Sequence, residues 1–284
     1  MWRLGLPGLA FRWNILPGLG DDPFGHYIEQ ALKDNGIGTN LLTYDTVYRT
    51  GIQLKEYVED GHDPAAPYYR KGSAASHLSA QEIDALDLEE IGLVHVTGIP
   101  PALSKEAREA TYRLMERARE AQIPVTFDPN LRPALWENGE TMRNVLNDLA
   151  NYADVVLPGI GECEILAGTT DKEKAADFYH QKGAALVVIK DGKNGAYVSE
   201  KKENGEVVRD MIPGYPVKKV VDTVGAGDGF AVGVLSGLLK GLPVTECAKR
   251  GNAIGSIQVQ HRGDNEGLPT EEILQSYMAG NIQK

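Results

Sequence analysis

The sequence predicts an α/β fold: a mostly parallel sheet with helices on both faces, in three layers. Three observations lead there. Short runs of apolar and β-branched residues recur from residue 93 onward: LVHVTG (93–98), PVTFD (124–128), DVVLP (154–158) and ALVVIK (185–190). Between them lie segments with apolar residues at helical spacing and charges on the opposite face. Such alternation is the pattern of βαβ units, whose strands pair in parallel. Finally, 284 residues with 42% apolar and 24% charged side chains can bury a core without disulfide or metal staples.

The elements follow in order. MWRLGLPGLAFRWNILPGLG (1–20) holds Trp2 and Trp13 and reads as neither a clean strand nor a helix. It also lacks the charged start and unbroken apolar stretch of a secretory signal. Residues 41–78 mix alternating and aromatic residues, which predicts two short strands leaving the main sheet as a small lid. The strand at 93–98 is stopped by Gly98 and two prolines. Ser104 caps the next helix, with Ala107, Leu114 and Ala118 toward one face and Tyr112 less regularly placed. A strand at 124–128, a helix near 139–150, a strand at 154–158 and helices near 161–168 and 171–182 come next. The strands 185–190 and 196–200 are joined by DGKNG, where Asn194-Gly195 is a strong hairpin signal. SEKKENGEVVRD (199–210) reads as a solvated hairpin and VKKVV (217–221) as a strand. Helices near 226–240, 245–260 and 270–278 close a single domain spanning 1–284, with the lid inside it.

Composition excludes several classes of function. Two cysteines, Cys163 and Cys247, rule out a disulfide scaffold or a cysteine-rich zinc site and fit a reducing cytoplasm. The net charge of −11 argues against nucleic acid as a partner. No apolar run approaches the roughly 18 residues of a membrane span. There is no G-x-x-x-x-G-K-[ST], no H-E-x-x-H and no G-x-S-x-G, and GIGECE (159–164) lacks the third glycine of a dinucleotide fingerprint.

The residues with chemistry lie in DTVGAGDGF (222–230), between VKKVV and an apolar helix. Gly225, Ala226 and Gly227 are small enough for close backbone approach, and N–H groups at a helix start form a natural anion site. Asp228 then falls in the first turn, where a carboxylate can take the proton of a hydroxyl that attacks a phosphoryl group. The plainer alternative is a glycine-rich turn with Asp228 as a helix-stabilising acid.

DTVGAGD resembles the C-terminal signature of the ribokinase-like (PfkB) carbohydrate kinases, and the resemblance runs from about residue 18 to about residue 278. GLGDDPFG (18–25), YRTGIQLKE (48–56), YYRKGSAASHLS (68–79), FDPNLRPALW (127–136) and RGDNEGLP (262–269) are similar to the branch that acts on 2-keto-3-deoxygluconate. The resemblance implies a ribokinase-like fold and ATP-dependent phosphorylation of that sugar acid to its 6-phosphate, with Mg²⁺ and a monovalent cation such as K⁺. It implies that Asp228 is the base and that Gly225, Ala226 and Gly227 hold the transferring phosphoryl. Lys190, Gly192, Gly195 and Asn252 match nucleotide positions. Glu162 matches a magnesium network, and Asp222 and Thr223 match positions near a monovalent cation. Tyr68, Arg70 and Arg132 match sugar-acid contacts, as suits an arginine fork facing a carboxylate. Each has an ordinary structural alternative: lid packing for the tyrosine, a local acid or carbonyl partner for Arg132, a strand-end lysine, a first-turn glutamate. Lid strands pairing between subunits imply a homodimer.

Three departures matter. Gly159-Ile160-Gly161-Glu162 stands where the family has N-x-x-E, and Gln53 stands where relatives carry a tyrosine. The family's first central strand and its G-G-x-x-x-N sugar loop are not found before GDDPFG, so an altered start with a weakened sugar half is the expectation. Kinases of fructose or 5-keto-2-deoxygluconate, and a nucleotide-binding remnant without turnover, are the alternatives.

Overall fold

A computed structural model of the chain describes residues 18–54 and 67–280. In order, the elements are β1 (Gly18–Gly20), α1 (Pro23–Asp34), β2 (Thr43–Asp45), β3 (Ile52–Gln53), β4 (Tyr68–Tyr69), α2 (Ala80–Asp84), β5 (Val94–Thr97), α3 (Pro100–Leu103), α4 (Lys105–Glu120) and β6 (Val125–Asp128). They continue as α5 (Gly139–Leu149), β7 (Val155–Val156), α6 (Ile160–Ala167), α7 (Lys172–Gln181), β8 (Leu186–Lys190), β9 (Ala196–Lys201), β10 (Val207–Ile212), α8 (Ala226–Leu239), α9 (Val244–Gln258) and α10 (Glu271–Met278).

Among the described residues the main sheet has six strands in the order β10-β9-β8-β7-β6-β5. From β5 to β8 the pairing is parallel, because each connection carries a helix back across the sheet. The short turn after Lys190 permits only antiparallel return, so β9 and β10 reverse. The strands' period of two divides the core. Val156, Val187 and Ile189 face one helical layer with Met115, Leu146, Cys163 and Tyr179. Val155, Leu157, Leu186 and Val188 face the other, packing on Phe230, Ala231 and Val234 of α8 and on Cys247 and Ala248 of α9. These are the three layers the sequence predicts.

Helix starts follow the side chains available. Ser104 Oγ accepts the Ala107 N–H at 2.9 Å and donates to the Ser76 carbonyl at 2.5 Å, so one cap also ties α4 to the segment before α2. Asp22 caps α1, accepting from the Phe24 and Gly25 N–H groups, and its other oxygen takes the Thr50 N–H at 2.8 Å. The sequence reading does not anticipate α1.

Two expectations change. VKKVV is not a strand: Val220 and Val221 are exposed, and the Val221 and Asp222 N–H groups bond the Val259 carbonyl at the end of α9. The segment is thus anchored to a helix, and the sheet ends at β10. The lid is also narrower than 41–78. It is the antiparallel pair β3–β4, whereas β2 pairs in parallel with β1 as a second small sheet. The connection between β3 and β4, and the altered start expected at residues 1–17, lie outside the described residues. Among the described residues no helix is long and apolar enough to cross a membrane.

Arg250, 1% exposed on α9, is held by a two-pronged pair with Glu271 of α10, at 2.9 and 2.8 Å, and by Ser236 of α8. Lys240 reaches the same carboxylate at 2.9 Å. Hydrogen bonding from Arg250 holds the Glu271 carboxyl down at about 2, despite partial burial. A depressed carboxyl stabilises the fold fully above the ordinary glutamate value near 4.5, and that contribution disappears as pH falls toward 2. Glu271→Gln should therefore cost about 3 kcal/mol at pH 7, by leaving a buried guanidinium uncompensated. Thermal unfolding from pH 7 to pH 3 should show the wild type approaching the variant.

Candidate active site

The predicted site residues gather at the carboxyl ends of β6, β7 and β8, where the helix start of α8 meets them. This is the edge at which open parallel sheets bind ligands. β6 ends at Asp128 and β8 ends at Lys190. Their side chains form an ion pair, Lys190 Nζ to Asp128 Oδ2 at 2.7 Å, with Asp128 1% exposed.

Two more carboxylates share this space. Glu162, in the first turn of α6, accepts the Leu131 N–H at 2.8 Å on one oxygen and the Gly159 N–H at 2.6 Å on the other. It thereby ties the loop after β6 to the loop after β7, and the lost asparagine of N-x-x-E leaves this clamp intact. Asp228 Oδ1 accepts from the Asn130 amide at 3.3 Å. Burial first, then the charges of Glu162 and Asp228, push the Asp128 carboxyl up, and Lys190 opposes them. Burial works against the Lys190 charge, but Asp128, Glu162 and Asp228 together raise its pKa. Lys190 thus stays an ammonium, and a Cβ placed at Gly227 would lie 4.0 Å from its Nζ.

The start of α8 is open. Gly225 is its N-cap at φ +76°, and no side chain caps this end. A Cβ at Gly225 would meet the Asp264 carbonyl oxygen at 2.4 Å, so backbone conformation and crowding both require glycine. The first helical bond runs from the Gly229 N–H to the Gly225 carbonyl, and the Ala226 N–H reaches back to Thr223 O at 3.4 Å. The Gly227 and Asp228 N–H groups precede the helical ladder, at the positive end of a 14-residue helix. Asp222 holds the approach to this turn, accepting from the Val224 N–H at 3.0 Å and the Gly263 N–H at 3.2 Å. Thr223 is exposed beside it.

The lid residues form a second wall. β3 and β4 pair with Gln53 opposite Tyr68. Arg70 stacks over the Tyr68 ring at 5.1 Å and donates to Gln53 Oε1 at 2.6 Å. Burial lowers the Arg70 pKa, as does nearby Arg132, while Tyr68, Asp264 and Asp228 oppose the shift. Arg70 is therefore within electrostatic reach of both Arg132 and Asp228. Arg132 also donates to the Leu131 carbonyl at 2.8 Å.

The remaining predicted residues form a cluster after β8. Gly192 opens the turn Gly192–Asn194, and Gly195 follows at φ +101°, where a Cβ would strike the Ile212 carbonyl at 2.0 Å. Asn252, buried on α9, donates to the Ile212 and Pro213 carbonyls at 3.1 Å each. The sequence reading leaves out Asp128 and Asn130. An acid ending a buried parallel strand is the signal that could have found the first.

Comparisons with known proteins bear on the family. The profile of the pfkB family carbohydrate kinases matches residues 14–271. A 2-dehydro-3-deoxygluconokinase of Bacillus subtilis (strain 168) is 46% identical over 276 residues, covering 97% of this chain and 83% of that protein. The crystal structure of a PfkB protein from Polaromonas sp. JS666 superposes with a TM-score of 0.84 at 43% identity, over 96% of this chain and 86% of that one. Fructokinase from Vibrio cholerae O395, solved with fructose, ADP and calcium ion, gives 0.84 at 26% identity, over 95% and 86%. With that match, and with an open helix start, an adjacent carboxylate and a buried lysine at one sheet edge, the chain belongs to the pfkB family of carbohydrate kinases.

Proposed function

We propose that this kinase transfers the γ-phosphoryl group of ATP to the terminal hydroxyl of 2-keto-3-deoxygluconate, giving the 6-phosphate. The observation that carries the reading is the loop after β6, which places Arg132 two residues beyond the Asn130 amide that bonds Asp228, while Arg70 on the lid feels the charges of both Arg132 and Asp228. A carboxylated sugar suits two guanidiniums, and its far hydroxyl would then lie toward the acid. The similarity to a 2-dehydro-3-deoxygluconokinase supports the same substrate.

Each residue has a share in the reaction. Tyr68, Arg70 and Arg132 hold the sugar acid. The turn of Gly192 and Gly195, with Asn252, borders the nucleotide. The Gly227 and Asp228 N–H groups, open at the start of α8, take the γ-phosphoryl charge, Gly225 and Ala226 let the backbone come close, and Lys190 adds a cation beside Gly227. Asp228 accepts the hydroxyl proton as the oxygen–phosphorus bond forms and the bond to ADP breaks. Positioning and electrostatics supply most of the rate.

Among the described residues no group of three or more His, Cys, Asp or Glu is placed to hold a metal. That fits Mg²⁺, which commonly binds through one or two carboxylates and the phosphates of its substrate. Glu162 would be that carboxylate, with a second lone pair left on each oxygen. The ion would neutralise phosphate charge. A monovalent cation would sit beside Asp222 and Thr223, and replacing KCl by choline chloride should slow turnover if it does. Exposed Leu54 and Tyr69 on the lid support a homodimer, and two buried free thiols suit a reducing cytoplasm.

The test is ADP release from Mg-ATP with 2-keto-3-deoxygluconate, 5-keto-2-deoxygluconate and fructose. The first should turn over best. Asp228→Asn should lower kcat by at least about 10³-fold, as for loss of a general base with its charge. Arg132→Ala should raise KM for the sugar acid by about 10- to 100-fold, the worth of a charged hydrogen bond, and leave KM for ATP unchanged. ATP binding without turnover of any sugar would select the nucleotide-binding remnant.

A further inference from the structure

Asn130 is one of two non-glycine residues among those described with positive φ, at +41°. It is 9% exposed, two residues beyond the end of β6. Its N–H donates to Asp128 Oδ1 at 3.2 Å, which closes the turn. Asparagine is among the few side chains that tolerate this backbone region, and glycine would fit it more easily. The turn therefore explains a small or amide residue but does not explain the side-chain contact. The Asn130 amide is aimed out of the turn at Asp228 Oδ1, 3.3 Å away and 98 residues on in sequence.

We propose that Asn130 is a positioning residue for Asp228, a role that rests on reading Asp228 as the base. One N–H on Oδ1 stops rotation of the carboxylate and leaves Oδ2 for the incoming hydroxyl. Three other charges face Asp228: Lys190 from β8, Asp128 from β6 and Arg70 from the loop after β4. The two cations already hold the carboxylate's charge, so the neutral amide sets its direction without adding another. An unusual backbone conformation at a site is explained when the side chain it presents has work there.

Asn130→Gly separates the two roles, since glycine keeps the turn and loses the amide. The expected result is a kcat lower by at least about 10-fold, with KM for ATP and for sugar acid changed less than about 3-fold, because the contact acts on proton transfer. Asn130→Asp keeps the shape and tolerates the same φ but offers no N–H to Asp228, so it should lower kcat at least as much. A wild-type kcat in Asn130→Gly or in Asn130→Asp would overturn the proposal, as would a loss carried by KM with kcat unchanged. Asp228→Asn is run alongside. If it keeps turnover, the reading of Asp228 as base fails and takes this inference with it. If it is inactive while Asn130→Gly is unaffected, the positioning role alone fails.

Discussion

The ion pair between Lys190 and Asp128 organises the site. It joins the last residues of β6 and β8 across β7, 62 positions apart in sequence, at 2.7 Å. Burying either charge alone costs several kcal/mol, and the pairing offsets part of that cost. Two further carboxylates, Glu162 and Asp228, raise the negative potential around the ammonium. Such a cluster is poorly balanced by itself: one cation among three acids. It suits a site whose remaining cations come from Arg70, Arg132 and the metal that accompanies a nucleotide.

Everything else in the site is set by backbone held around that pair. Glu162 clamps the loops after β6 and β7 through two N–H groups. Asn130 runs from the β6 loop to Asp228. Asp222 ties the approach to α8 to residue 263, and the Asp264 carbonyl presses on Gly225. The helix that delivers Asp228 is buried from Gly229 through Gly237, so its start can move little. Arg250 and Glu271 lock α9 and α10 against it from the far side. Two ionic groups thus meet α8, Lys190 beside its start at Gly227 and Arg250 at Ser236.

The parallel strands and the helices after residue 93 were legible because their signals are local. Val187 and Val188 face opposite layers by strand period alone, and Ser104 marks its helix by one hydroxyl. DTVGAGD was legible as an open helix start because its small residues leave that end without a side-chain cap. VKKVV misled because β-branched residues suggest a strand, whereas a hydrogen bond to Val259 decides the segment's place. β1 and β2 were missed as a pair because three-residue strands carry almost no periodicity. Asp128 and Asn130 escaped notice for a different reason. Their partners, Lys190 and Asp228, lie 62 and 98 residues away, and only the fold brings them together.

The proposed function makes the Lys190–Asp128 pair part of phosphoryl transfer, beyond any part it has in stability. A double-mutant comparison tests it most directly. Lys190→Met alone strands a buried carboxylate and should cost about 3–5 kcal/mol. Combining it with Asp128→Leu replaces the pair by apolar groups of similar volume, which should return most of that stability. Measured by thermal unfolding and ADP release, the double variant should be folded, near wild-type in stability and without sugar-dependent turnover. A double variant that turns over sugar acid at the wild-type rate would contradict the account, and the pair would be only a structural contact.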